Sequence, residues 1–187
     1  MSSIKFSRIQ SDSFMPYKNG FDIEFSQSTN LPLTVIHGSN ETGKSSFFYS
    51  IKWAWYGKIE NRQGIPFNPF EIINLDKQSE KEFTCFVKIN FSFNNDEFIL
   101  ERHMKPIIEN PSEDFDFINE VYLRKNDQPL NPEEVQPFLN ELIPPTIFDL
   151  FFFDAEHLTS FENLLVSENQ QAHLIKQSIE NILGLPA

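Results

Sequence analysis

An α/β fold, with a mixed β-sheet around one buried helix, is predicted by three features of this 187-residue sequence. Short runs that alternate apolar and polar residues, such as Phe21-Asp22-Ile23-Glu24-Phe25, carry the period-two pattern of half-buried strands. A β-type run, Leu33-Thr34-Val35-Ile36, leads into residues 45–56, a helix-forming stretch that is apolar almost all round. Between them lies Gly38-Ser39-Asn40-Glu41-Thr42-Gly43-Lys44-Ser45, which matches Gly-x-x-x-x-Gly-Lys-Ser/Thr in the strand-loop-helix setting that this pattern needs.

Taken in order, residues 4–9 and 21–25 read as strands, separated by the turn chemistry of Met15-Pro16-Tyr17-Lys18-Asn19-Gly20. A third strand, 33–36, feeds the glycine-bounded loop. The helix that follows ends at Gly57, a natural C-cap, and its Ile51, Trp53 and Trp55 call for burial. Residues 61–82 are polar, with Gly64, Pro66 and Pro69, and read as a loop-rich excursion. Residues 83–93 and 97–102 alternate well around Asn94-Asn95-Asp96 and form a hairpin. Residues 106–119 read as an acidic loop, 121–124 as a short strand, and Asn131 with Pro132 as the cap and first position of a helix to Leu142. Past Pro144-Pro145 comes an apolar run ending in Asp154-Ala155-Glu156. A last helix capped by Ser167 closes at Gly184 and Pro186.

The glycine-bounded loop identifies a P-loop, the cradle for nucleotide phosphates. A helix N-terminus offers unpaired N–H groups and the positive end of the macrodipole, which suit a triphosphate. Gly38 and Gly43 are expected to take positive φ and let the backbone approach the phosphate oxygens. Lys44 reaches the β and γ phosphates as a point charge and can counter charge developing during transfer, while Ser45 is placed to ligate Mg²⁺. The expected cofactors are therefore ATP and Mg²⁺, held by Gly38, Ser39, Asn40, Glu41, Thr42, Gly43, Lys44, Ser45 and Ser46.

Composition narrows the class further. A net charge of −12 argues against a broad basic surface for nucleic acid, so a DNA partner calls for a local patch or another subunit. The single cysteine, Cys85, cannot form an internal disulfide, and no stretch reaches membrane-spanning length, which fits a cytoplasmic protein with no membrane partner. The 21 phenylalanines are many for one lobe to bury, which hints at an interface. His37 reads as packed beside the loop, for it has no identifiable carboxylate partner. His103 and His157 lack the spacing for a zinc cage with Cys85.

The apolar run 147–153 followed by Asp154 supports two site readings. As a Walker B strand, it would bury Asp154 beside Mg²⁺ and leave Glu156 to orient the attacking water. As a plain apolar element with a solvated polar end, it would carry no chemistry.

Taken together, the phosphate loop, Trp55-Tyr56-Gly57-Lys58, the Leu142-Ile143-Pro144-Pro145 step, Leu150-Phe151-Phe152-Phe153-Asp154-Ala155-Glu156 and Ile182-Leu183-Gly184-Leu185 resemble the N-terminal lobe of an SMC-like, ABC-type ATPase head. The likeness runs along essentially the whole chain and is nearest to the DndD-type ATPases of DNA-phosphorothioation restriction and related antiphage defence. It implies one ATP-binding lobe over residues 1–187, with the P-loop at 38–45 and a Q-loop-like segment at 150–157. Asp154 would then face the metal, and Glu156 would not be the catalytic base. The chain departs from that pattern at Ala155, where Gly is usual, and at His157, where Lys is usual. It departs also at Met15, near where relatives carry an Arg that approaches the nucleotide.

No Leu-Ser-Gly-Gly-type signature and no later Walker B pair occur in the sequence. The resemblance implies that these lie in a C-terminal lobe beyond a coiled coil and on a second head, with DNA engaged through the assembled complex and other defence or repair subunits. Three functions follow as expectations: half of an ATPase head, a complete small P-loop kinase or nucleotide-dependent transferase, and a nucleotide-responsive interaction module without turnover. The kinase reading needs an Arg-rich lid, yet only Arg62, Arg102 and Arg124 follow the phosphate loop.

Overall fold

The computed structural model describes residues 3–39, 42–61, 63–145 and 148. The chain divides into two compact units, Met1–Pro137 and Phe138–Ala187. In the first, strands β1 (Ile4–Asp12), β2 (Phe21–Glu24), β3 (Cys85–Phe93), β4 (Asp96–Pro106), β5 (Phe117–Lys125) and β6 (Gln128–Pro129) form one sheet in the order β2-β1-β3-β4-β5-β6. Every strand pairing among the described residues is antiparallel.

Alternation decides which face of this sheet is inner. Along β3, Cys85, Val87, Ile89 and Phe91 are buried, and β4 answers with Phe98, Leu100, Arg102 and Met104. Helix α1 (Lys44–Tyr56) lies over that face and buries Phe47, Ile51, Trp53, Ala54 and Trp55. Its indole Trp55 packs at 5.2 Å from Phe91, which itself stacks on Phe98 at 5.0 Å. The opposite face is covered by cross-strand ion pairs, Arg8 with Asp22, Lys88 and Arg124 with Glu101, and Lys105 with Glu120. These are surface pairs, and they select which face is wet more than they add stability.

Turn residues fix the register. Asn94 (φ 52°) and Asn95 (φ 69°) make the two-residue turn of the β3–β4 hairpin, and Asn126 and Asp127 repeat the device before β6. Both strands flanking residues 107–116 are longer than the sequence suggests. β4 continues to Pro106 and β5 starts at Phe117, so the two ends of the expected acidic loop, Pro106 and Phe117–Asn119, are sheet. Its tip is a 3₁₀ turn, Asp114–Asp116, where the Asp116 carboxylate accepts the Ser112 and Glu113 N–H groups.

The excursion at 61–82 also contains more order than expected. Two short helices, α2 (Pro69–Ile72) and α3 (Leu75–Ser79), are each started by an asparagine cap, Asn68 and Asn74. Helix α4 (Pro132–Leu142) has the predicted bounds, with Asn131 Oδ1 accepting the Glu133 N–H at 3.3 Å. In the second unit, Ile143 N donates to Leu139 O and Phe148 N to Pro144 O.

The C-terminal end of α1 is held by an unusual clamp. Arg102 is 4% exposed and, among the described residues, has no carboxylate hydrogen-bond partner. Its Nε donates to Ala54 O at 2.9 Å, its Nη2 to Trp55 O and Gln136 Oε1, and its Nη1 to Asn119 Oδ1. A buried cation is thus satisfied by neutral acceptors, two of them among the carbonyls a helix leaves unpaired at its end. Burial pulls the guanidinium down to about 10. Asn119 Nδ2 in turn donates to Gly57 O, and Gly57 closes the helix with φ 75°.

One expected strand is absent. Residues 33–36 belong to no strand, and Leu33 and Val35 are 65% and 76% exposed. The run has β-type residues, but no described strand pairs with it.

Candidate nucleotide site

The phosphate loop is built from the N-terminus of α1 outward. Gly43 is the helix N-cap, with φ 99° and ψ 9°, a conformation that costs an L side chain roughly 1–2 kcal/mol and glycine almost nothing. Gly43 brings no capping side chain, and no acidic residue lies in the helix's first turn. Gly38 takes no positive φ, contrary to expectation. A Cβ there would lie 2.6 Å from Thr42 Oγ1, so any other residue would turn that hydroxyl away from its bond to Ser39 O.

The loop closes on itself through its own side chains. Lys44 Nζ donates to Gly38 O at 2.8 Å and to Ser39 O at 2.5 Å, and Thr42 Oγ1 donates to Ser39 O at 2.7 Å. Lys44 and Ser45 are exposed and Ser46 is half-buried. A bare helix N-terminus, a lysine poised over the loop and a serine at the first turn form a donor set that fits a triphosphate with its metal.

A second group that the sequence reading missed touches the loop from behind. Tyr17 OH donates to Gly43 O at 2.8 Å, and a Cβ on Gly43 would come within 2.9 Å of Pro16 Cγ. The Phe14-Met15-Pro16-Tyr17 segment, where many members of the resembled family carry an Arg, contributes a tyrosine contact to the loop backbone. The sequence signal available was only an aromatic residue in a turn.

Other sequence candidates divide clearly. His37 is exposed, not packed. Arg102 is buried and consumed by α1, so it is not available for a kinase-type lid, while Arg124 pairs with Glu101 on the outer face of the sheet. Asn40, Glu41 and Arg62 lie outside the described residues, as do Asp154, Glu156 and the whole 150–157 segment. Among the described residues no group of three or more His, Cys, Asp or Glu side chains could hold a metal ion.

A glycine-capped helix with this loop, laid over a sheet, defines a P-loop nucleotide-binding domain of α/β class. The chain belongs to the AAA domain family, the AAA-type P-loop ATPase domain found in SMC-like proteins, whose model matches residues 8–183. No curated protein matches the sequence. Domains of this family generally bind ATP with Mg²⁺. Among the described residues, no helix is long and apolar enough to cross a membrane.

Proposed function

We propose that this chain is the ATP-binding half of an SMC-like ATPase head, which dimerises around ATP and Mg²⁺ and drives a conformational change in a DNA-sensing or DNA-processing complex. The DndD-like resemblance points to bacterial antiphage defence or restriction, or to repair. Lys44 binds the phosphates and Ser45 the metal, with Asp154 completing the metal's surroundings. Bound Mg²⁺ would neutralise charge on the phosphates. The groups that activate water belong to a C-terminal lobe and a second head.

The observation that carries this reading is the exposed run before the phosphate loop. Leu31, Leu33, Val35 and Ile36 are 41–76% exposed, immediately upstream of the one segment whose placement catalysis depends on. A β-branched apolar run in that position calls for strand neighbours, and a completing lobe would supply them. The family match over residues 8–183 supports the same class.

The test is nucleotide binding and turnover, alone and with the completing lobe. The chain alone should bind ATP·Mg²⁺ and lose that binding in Lys44→Ala, with turnover arising only when the lobe is added. Ordinary enzymatic turnover by residues 1–187 alone, abolished by Lys44→Ala, would sink the half-head reading and make Asp154 and Glu156 a true Walker B pair.

A further inference from the structure

We infer that Tyr17 is a positioning residue for the phosphate loop, delivered by a strained turn whose geometry is locked by the α2–α3 segment. The inference rests on the nucleotide-binding reading of the loop.

The turn between β1 and β2 holds two non-glycine residues in the left-handed region, Ser13 at φ 53° and Met15 at φ 49°. Such residues persist only where surrounding bonds over-determine them, and they gather at functional sites. Here the bonds are explicit. Asn74 N donates to Ser13 O at 2.8 Å, Asn74 Nδ2 to Met15 O at 2.7 Å, and Met15 N to Ile72 O at 2.8 Å. Phe14, between the strained pair, is fully buried against Trp53 at 5.5 Å. Asn74 itself is 6% exposed and also caps α3. The α2–α3 insertion therefore serves as the mould for this turn.

What the mould presents is the Tyr17 hydroxyl. Tyr17 packs edge-on to Phe21 at 4.8 Å, and Phe21 contacts Phe47 of α1 at 5.4 Å, so the ring is fixed against the helix it serves. The Gly43 carbonyl accepts two bonds, from Tyr17 OH at 2.8 Å and from Phe47 N at 2.9 Å. A peptide unit is planar and trans, so holding the Gly43 oxygen fixes the Lys44 N–H on the opposite side of the same plane. That N–H is one of the helix's unpaired N-terminal donors, the kind a bound phosphate accepts from. With Phe47 N alone on its oxygen, glycine at 43 leaves this peptide more freedom than any other residue would. Tyr17 removes that freedom before the ligand arrives, which is where preorganised affinity originates.

The test compares wild type with Tyr17→Phe, which keeps the ring on Phe21 and deletes the hydroxyl alone. Amide hydrogen exchange at Phe47, whose N–H shares the Gly43 carbonyl with Tyr17, should quicken about fivefold in ligand-free protein, and ATP·Mg²⁺ should bind about five to tenfold more weakly by calorimetry, the effect of one lost hydrogen bond. The urea midpoint should fall only by the small share of that one bond. Unchanged exchange, unchanged affinity, or a loss of affinity matched by general destabilisation would each overturn the assignment. If wild type itself fails to bind ATP, the nucleotide reading fails instead, and the exchange comparison still decides whether Tyr17 restrains the loop.

Discussion

Gly57→Ala isolates the clamp at the end of α1, because the fold supplies its own control. Gly57 and Gly64 share φ 75°, so alanine at either pays the same left-handed backbone cost, about 1 kcal/mol. Around Gly64 a Cβ meets nothing within 4 Å, whereas at Gly57 it would lie 2.6 Å from Arg102 Nη1 and 3.1 Å from its Cζ. Restoring an ordinary contact of 3.4 Å requires the guanidinium to retreat by about 0.8 Å, the difference of the two distances. Arg102 cannot swing aside cheaply, since Ala54, Trp55, Asn119 and Gln136 hold it inside the protein. The Nη2–Trp55 O bond, already 3.4 Å, would be lost first. A hydrogen bond to a charged group is worth about 1.5–3 kcal/mol. Gly57→Ala should therefore cost about 3 kcal/mol and Gly64→Ala about 1 kcal/mol. Urea unfolding followed by tryptophan fluorescence suits the comparison, for Trp53 and Trp55 are both fully buried beside the clamp. Equal losses from the two variants would refute the steric argument and leave only the backbone cost.

Two further outcomes follow from buried or paired groups. Burial pushes the Cys85 thiol well above its ordinary range, so alkylation at pH 8 should run slower in folded protein than in urea by about two orders of magnitude; comparable rates would mean that the sheet face is open there. For Glu101, burial acts to raise the carboxyl, but Lys88, Arg124 and His103 outweigh it and hold the group below the usual range. A carboxylate whose folded value is depressed stabilises above its unfolded value, near pH 4.5, and that contribution disappears as pH falls below it. Glu101→Gln should flatten the acid limb of the stability curve, and an unchanged limb in acid titration would show that the cluster contributes nothing.

Much of the fold was legible where signals were local. The β3–β4 hairpin announces itself through alternation and an Asn-Asn turn, and α1 through an all-round apolar helix stopped by glycine. Helix α4 kept its predicted bounds because Asn131 and Pro132 specify a start within two residues. Signals failed where structure depends on distant partners. Residues 33–36 have strand composition but no described strand to pair with, and composition alone makes no ladder. Helices α2 and α3 have four and five residues, too few for periodicity, and only their asparagine caps marked them. At the site, the motif identified Lys44 and Ser45 by pattern. Tyr17 escaped because its bond to Gly43 spans 26 positions, and Arg102 because its acceptors are main-chain carbonyls on another element.

The clamp on Arg102 also has a mechanical meaning. Helix α1 is 13 residues long, about 20 Å, and its C-terminal end is pinned to the sheet by a cation bonded on several sides. A rod fixed at one end cannot slide along the sheet as a piston. A displacement imposed at the phosphate end would have to turn the helix about its clamped end, so α1 can tilt over the sheet but not translate along it.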